Sequence, residues 1–102
     1  MNPKALRKIK RQLKEMEKSP FNRKPGDFIS IANQLGRTKD NRGKEPTYTR
    51  ARDPALSPPL SIPNHPGDVK PGTARSIIDA LLSDVDDWEM FLSESEDDDD
   101  DE

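Results

Sequence analysis

The sequence predicts a small α+β domain, with helices covering one face of a short antiparallel sheet. Three observations predict it. Apolar residues recur at helical spacing in residues 3–18, 27–35 and 73–92. Residues 37–62 between them are polar and read as two short strands about a turn, followed by a third short strand after a proline-rich loop. The resulting order of helix, helix, strand, strand, strand, helix keeps helices and strands apart along the chain, the pattern of an α+β arrangement.

In the first stretch Leu6, Ile9, Leu13 and Met16 are spaced 3, 4 and 3, a narrow apolar stripe among many Lys and Arg residues. Pro3 suits the first helical turn, and Ser19-Pro20 ends the helix. So narrow a stripe cannot form a core alone, and it is expected to rest on a domain or a partner helix. Residues 20–26 form a turn-rich linker. A second helix is predicted from Asp27 to Leu35, with Phe28, Ile31, Ala32 and Leu35 at i, i+3, i+4 and i+7, and Gly36 as its stop. Asn41-Arg42-Gly43 can turn the chain, and Thr47-Tyr48-Thr49 has strand chemistry. Leu60-Ser61-Ile62 alternates as a third strand, with Pro58 and Pro59 marking its start or an edge.

A rigid connection leads to Thr73 or Gly72 as the cap of the last helix. Ala74, Ile77, Ile78, Leu81, Leu82 and Val85 give it the broadest apolar face in the chain, extended by Trp88, Phe91 and Leu92. Ser83 and Asp86 fit a capping box, which allows a break near 83–84. Residues 93–102 are Ser-Glu-Ser-Glu followed by six acidic residues, and like-charge repulsion predicts a disordered tail.

Composition narrows the function classes. The chain has 102 residues, enough for one small domain, and its 29% apolar content implies a thin core. It has no cysteine and one histidine, so disulfides, Cys-based zinc sites and His-rich metal sites are excluded. No metal site or cofactor is expected. No apolar run reaches the roughly 18 residues of a membrane helix, and no secretory signal is visible, so a soluble cytoplasmic protein is expected. The net charge of −3 hides a strong polarity. Residues 1–25 hold nine Lys/Arg against two Glu, whereas residues 76–102 hold thirteen acids and no base. Such a chain has one end suited to a polyanion and one acidic tail, or two solvated ends that keep it soluble.

One segment is more specific. Pro59-Leu60-Ser61-Ile62-Pro63-Asn64-His65, followed by Lys70-Pro71-Gly72-Thr73-Ala74-Arg75-Ser76-Ile77-Ile78, resembles the C-terminal half of HicA-type (YcfA-like) toxins. Those proteins carry a Pro-x-His segment, a polar spacer, and Gly-Thr-x-Arg-x-Ile leading a final helix. The resemblance spans residues 26–92 and leaves residues 1–19, a basic amphipathic helix, and the acidic tail outside. It implies a fold like the double-stranded-RNA-binding domain, metal-free cleavage of mRNA, and a HicB-type antitoxin as protein partner. The family's catalytic histidine lies in a Gly-Ser-His motif at the second strand. Here the matching stretch is Arg42-Gly43-Lys44-Glu45-Pro46, and no histidine follows the glycine.

That departure bears directly on chemistry. Metal-free RNA cleavage needs a base for the 2′-OH and an acid for the leaving oxygen, roles histidine fills near neutral pH. Proline fills neither. Glu45 can act as a base only with a partner acid and a raised pKa. His65, in the Pro-x-His element, is the one remaining imidazole; its structural alternative is a loop tie before the last helix. Arg37, Lys39, Arg42, Lys44 and Arg50, with Tyr48 to stack on a base, are the expected RNA contacts. Their alternative is a solvated polar sheet face. The expectation is thus a HicA-like toxin–antitoxin component that binds, and with Glu45 or His65 cleaves, mRNA. The alternative is a non-catalytic nucleic-acid- or protein-binding module on the same fold, regulated by its acidic tail.

Overall fold

A computed structural model describes residues 2–40, 47–50, 59–63 and 67–100. The elements are α1 (Pro3–Lys18), α2 (Pro25–Gln34), β1 (Thr38–Asp40), β2 (Thr47–Thr49), β3 (Leu60–Ser61) and α3 (Pro71–Asp100). The three strands form one antiparallel sheet in the order β1-β2-β3. Thr38 lies opposite Thr49, Lys39 opposite Tyr48, Thr47 opposite Ser61, and Tyr48 opposite Leu60. This is the α+β arrangement the periodicities predict.

Helix α1 starts where its chemistry says. The Asn2 side chain accepts a hydrogen bond from the Lys4 N–H at 2.8 Å, and Pro3 supplies the preset φ of a first helical residue. Its stripe of Leu6, Ile9, Leu13 and Met16 is buried, and these residues belong to the same core cluster as α2, the sheet and α3. The helix lies mainly along α3, and Lys10 Nζ pairs with Glu89 Oε2 at 3.1 Å beside the seam. The stripe thus rests on the domain itself, and residues 1–19, which the resemblance leaves outside, share its core. Where the two helices part, a cavity of about 290 Å³ is lined by Pro3, Leu6, Arg7, Glu89, Leu92 and Ser93.

Helix α2 buries Phe28, Ile31 and Ala32, and it ends in a Schellman motif. The Gly36 N–H donates to Asn33 O at 3.1 Å, and the Arg37 N–H donates to Ala32 O at 3.0 Å. This closure needs a left-handed residue, and Gly36 has φ +94°. A Cβ there would also stand 3.4 Å from Arg50 Cδ. Gly36→Ala is expected to destabilise the fold by about 1–2 kcal/mol through the left-handed conformation alone, read as a lower urea midpoint at unchanged m-value.

Helix α3 is continuous through 83–84, without the break that the Ser83–Asp86 pattern allows, and spans Pro71–Asp100. No glycine or proline lies between Thr73 and Ser93 to interrupt it. Its start is Pro71, ahead of the expected caps Gly72 and Thr73. The connection into it is tied down: the Val69 N–H donates to Arg23 O at 2.6 Å, and Val69 is buried. Among the described residues no helix is long and apolar enough to cross a membrane.

Candidate nucleic-acid interface

The strand register decides which side chains the sheet offers. Directly opposed residues share a face, so Lys39, Tyr48 and Leu60 lie on one side. The two-residue period extends that side to Arg37, Arg50 and Ile62. The other side carries Thr38, Thr47, Thr49 and Ser61, a surface of hydroxyl groups. The basic and aromatic residues thus fall on the face turned toward α3, not on the outer one.

That placement buries three of the four, Lys39 on the edge strand staying exposed. Arg37, Tyr48 and Arg50 are 2%, 4% and 1% exposed, among the least exposed polar residues in the fold. Arg37 forks onto Asp84: its Nε donates to Oδ2 at 2.5 Å and its Nη2 to Oδ1 at 3.0 Å. Its Nη1 donates to the Tyr48 carbonyl at 2.7 Å, which joins the end of α2 to β2 and α3. Arg50 Nη1 lies 3.4 Å from the same Asp84 Oδ2, and Arg50 Nη2 donates to Asp87 Oδ2 at 3.1 Å. Asp84, shared by both guanidiniums, supplies negative charge inside the cluster, and the half-exposed Asp87 adds a second carboxylate at its edge. Beside it, Trp88 Nε1 donates to Leu35 O at 2.8 Å, satisfying a carbonyl at the end of α2. The Trp88 ring meets Phe91 edge-on, with centroids 5.7 Å apart. A cavity of about 110 Å³ between β3 and α3 opens onto Arg37, Asp84 and Asp87.

Of the six expected RNA contacts, Arg37 and Arg50 come together around Asp84, and Tyr48 packs in the core, so none of these three reaches the surface. Lys39, on the edge strand β1, is exposed. Arg42, Lys44 and both expected catalytic residues, Glu45 and His65, lie outside the described residues. Asp84 and Asp87 were missed as the arginines' partners. A signal for Asp84 existed: it follows Ile77 and Leu81 and precedes Trp88 at spacings of 4, 3 and 4, so it sits in the apolar stripe of α3. An acid in such a stripe calls for a buried cation.

Among the described residues no group of three or more His, Cys, Asp or Glu side chains is placed to hold a metal ion. Comparison with family models, with curated proteins and with solved structures finds no match to this chain.

Proposed function

We propose that this chain is a HicA-like toxin–antitoxin component that binds mRNA and is held in check by a HicB-type protein. The observation that carries the proposal is the α2-β1-β2-β3-α3 order with an antiparallel meander, because the segments resembling the family lie on β3 and at the start of α3. Pro59 to His65 covers β3 and the connection after it, and Lys70 to Ile78 opens α3. A helix, three antiparallel strands and a helix is the topology that the resemblance implies for an RNA-binding domain. Cleavage, if retained, falls to Glu45, in the stretch matching the family's histidine motif, or to His65, the one imidazole, in the Pro-x-His element.

One observation favours a second proposal, a non-catalytic binding module on the same fold. Arg37, Tyr48 and Arg50 are engaged in holding the domain together, and the stretch matching the histidine motif contains none. Induced expression in a bacterial host, with growth and mRNA integrity followed over time, separates the two. Growth arrest with mRNA cleavage, lost in Glu45→Gln or His65→Ala, supports the enzyme. Intact mRNA together with binding of single-stranded RNA by the purified chain supports the module. Neither cleavage nor binding overturns both.

A further inference from the structure

With Arg37 and Arg50 turned inward, the longest row of exposed positive charge among the described residues lies on α1. Lys4, Arg7, Arg11, Lys14 and Lys18 follow one another at intervals of three and four residues, one per turn of α1. They form a ridge about 21 Å long at 1.5 Å per residue, with Lys8 beside it. All six are exposed. The buried stripe of Leu6, Ile9, Leu13 and Met16 occupies the opposite side of the helix. Among the described residues none of the six forms an ion pair, whereas Lys10, at the border between the two faces, is held by Glu89. One acid, Glu15, shares the ridge face.

We propose that this ridge is the surface that contacts RNA, through its phosphate backbone. The assignment rests on the RNA-binding function proposed above and moves its site from the sheet to α1. Two features favour RNA over other polyanions. An amphipathic helix that binds an anionic membrane inserts its apolar face into the lipid, and the apolar face of α1 is already sealed against the core, at 0–3% exposure. A row of Lys and Arg fixed on a packed helix also suits a linear array of charges, since its ordering entropy is met on folding and not on binding. The apolar contacts that an acidic protein surface would add have nothing to meet on a ridge made of Lys and Arg.

The experiment measures binding of fluorescent oligo(U) to the full chain across a salt series. Five ridge contacts predict a log–log slope near −3.5, from about 0.7 per neutralised phosphate on a single strand. Replacing Arg7, Arg11 and Lys14 with glutamine is expected to flatten the slope by about 2 and to weaken binding at low salt. A charge-matched control replaces Lys24, Lys70 and Arg75, all exposed and off the ridge, and keeps the wild-type slope. These are surface changes, and circular dichroism confirms that each variant is folded. If both triple variants lower the slope equally while the parent binds, the ridge assignment fails and RNA binding stands. If the parent does not bind oligo(U), the RNA function fails and the ridge with it. Tighter, ridge-dependent binding to phosphatidylglycerol vesicles or to polyglutamate overturns RNA in favour of lipid or an acidic protein.

Discussion

Asp84→Ala is expected to destabilise the protein by about 3–5 kcal/mol, the cost of breaking a buried ion pair from one side. The substitution takes from Arg37 and Arg50 the carboxylate they share in the interior, and Asp87, which also pairs with Arg50, is itself 47% exposed. Against a total stability of about 5–15 kcal/mol for a typical domain, the variant sits close to the threshold of folding. Urea denaturation followed by Trp88 fluorescence measures it directly, since Trp88 packs one turn beyond Asp84. A companion variant, Arg37→Met with Asp84→Leu, separates charge from shape. Replacing a buried pair with apolar residues of similar volume is often neutral or stabilising, so this double variant should recover much of the loss, less what Arg50 forfeits with Asp84. A loss below about 1 kcal/mol in Asp84→Ala, the range of an exposed pair, would show that the two guanidiniums reach water and that the cluster is no interior charge centre.

Removal of residues 1–19 is expected to abolish cooperative folding. The deletion takes four side chains from the core, each buried to 3% exposure or less. At roughly 1.5–3 kcal/mol for each fully buried aliphatic side chain, about 6–12 kcal/mol of apolar burial is lost, comparable with the whole stability of a domain of this size. The face of α3 that held α1 is then left to water along several turns. A chain starting at Pro20 should give a broad, low-amplitude thermal transition and poorly dispersed amide resonances. A sharp transition near that of the full chain would show instead that residues 26–92 fold without α1. Leu13→Ala tests the same contact more gently, with about 2–5 kcal/mol expected for a core leucine.

Much of this fold was legible because its helices obey a single periodicity. The stripe on α1, the face of α2 and the apolar face of α3 from Ala74 to Val85 all point into the core, and Gly36 ends α2 as its backbone chemistry predicts. Strands β2 and β3 were legible in their residue types, and β1 only through the turn signal that follows it. The direction their side chains take was not, because arginine is read as a surface residue until a partner is identified. Alternation alone places Tyr48 and Arg50 on one face and Thr47 and Thr49 on the other, and burying the tyrosine carries the arginine in with it. The partner, Asp84, lies 47 positions from Arg37, beyond any local pattern. The same limit hid the role of α1: a narrow stripe shows that something covers it, but not that α3 does. The functional proposal rests on the resemblance carried by the segment from Pro59 to Ile78, and Glu45, in the stretch where the chain departs from that pattern, lies outside the described residues.

The seam between α1 and α3 has a consequence for how the protein is made. Lys10 and Glu89 meet across 79 positions, so α1 packs on a helix that is synthesised well after it. At about 5–20 residues per second, α1 waits some seconds with Leu6, Ile9, Leu13 and Met16 unpartnered. During that interval the nascent chain presents an apolar strip flanked by cations, and the domain cannot close until Trp88 and its neighbours have left the ribosome.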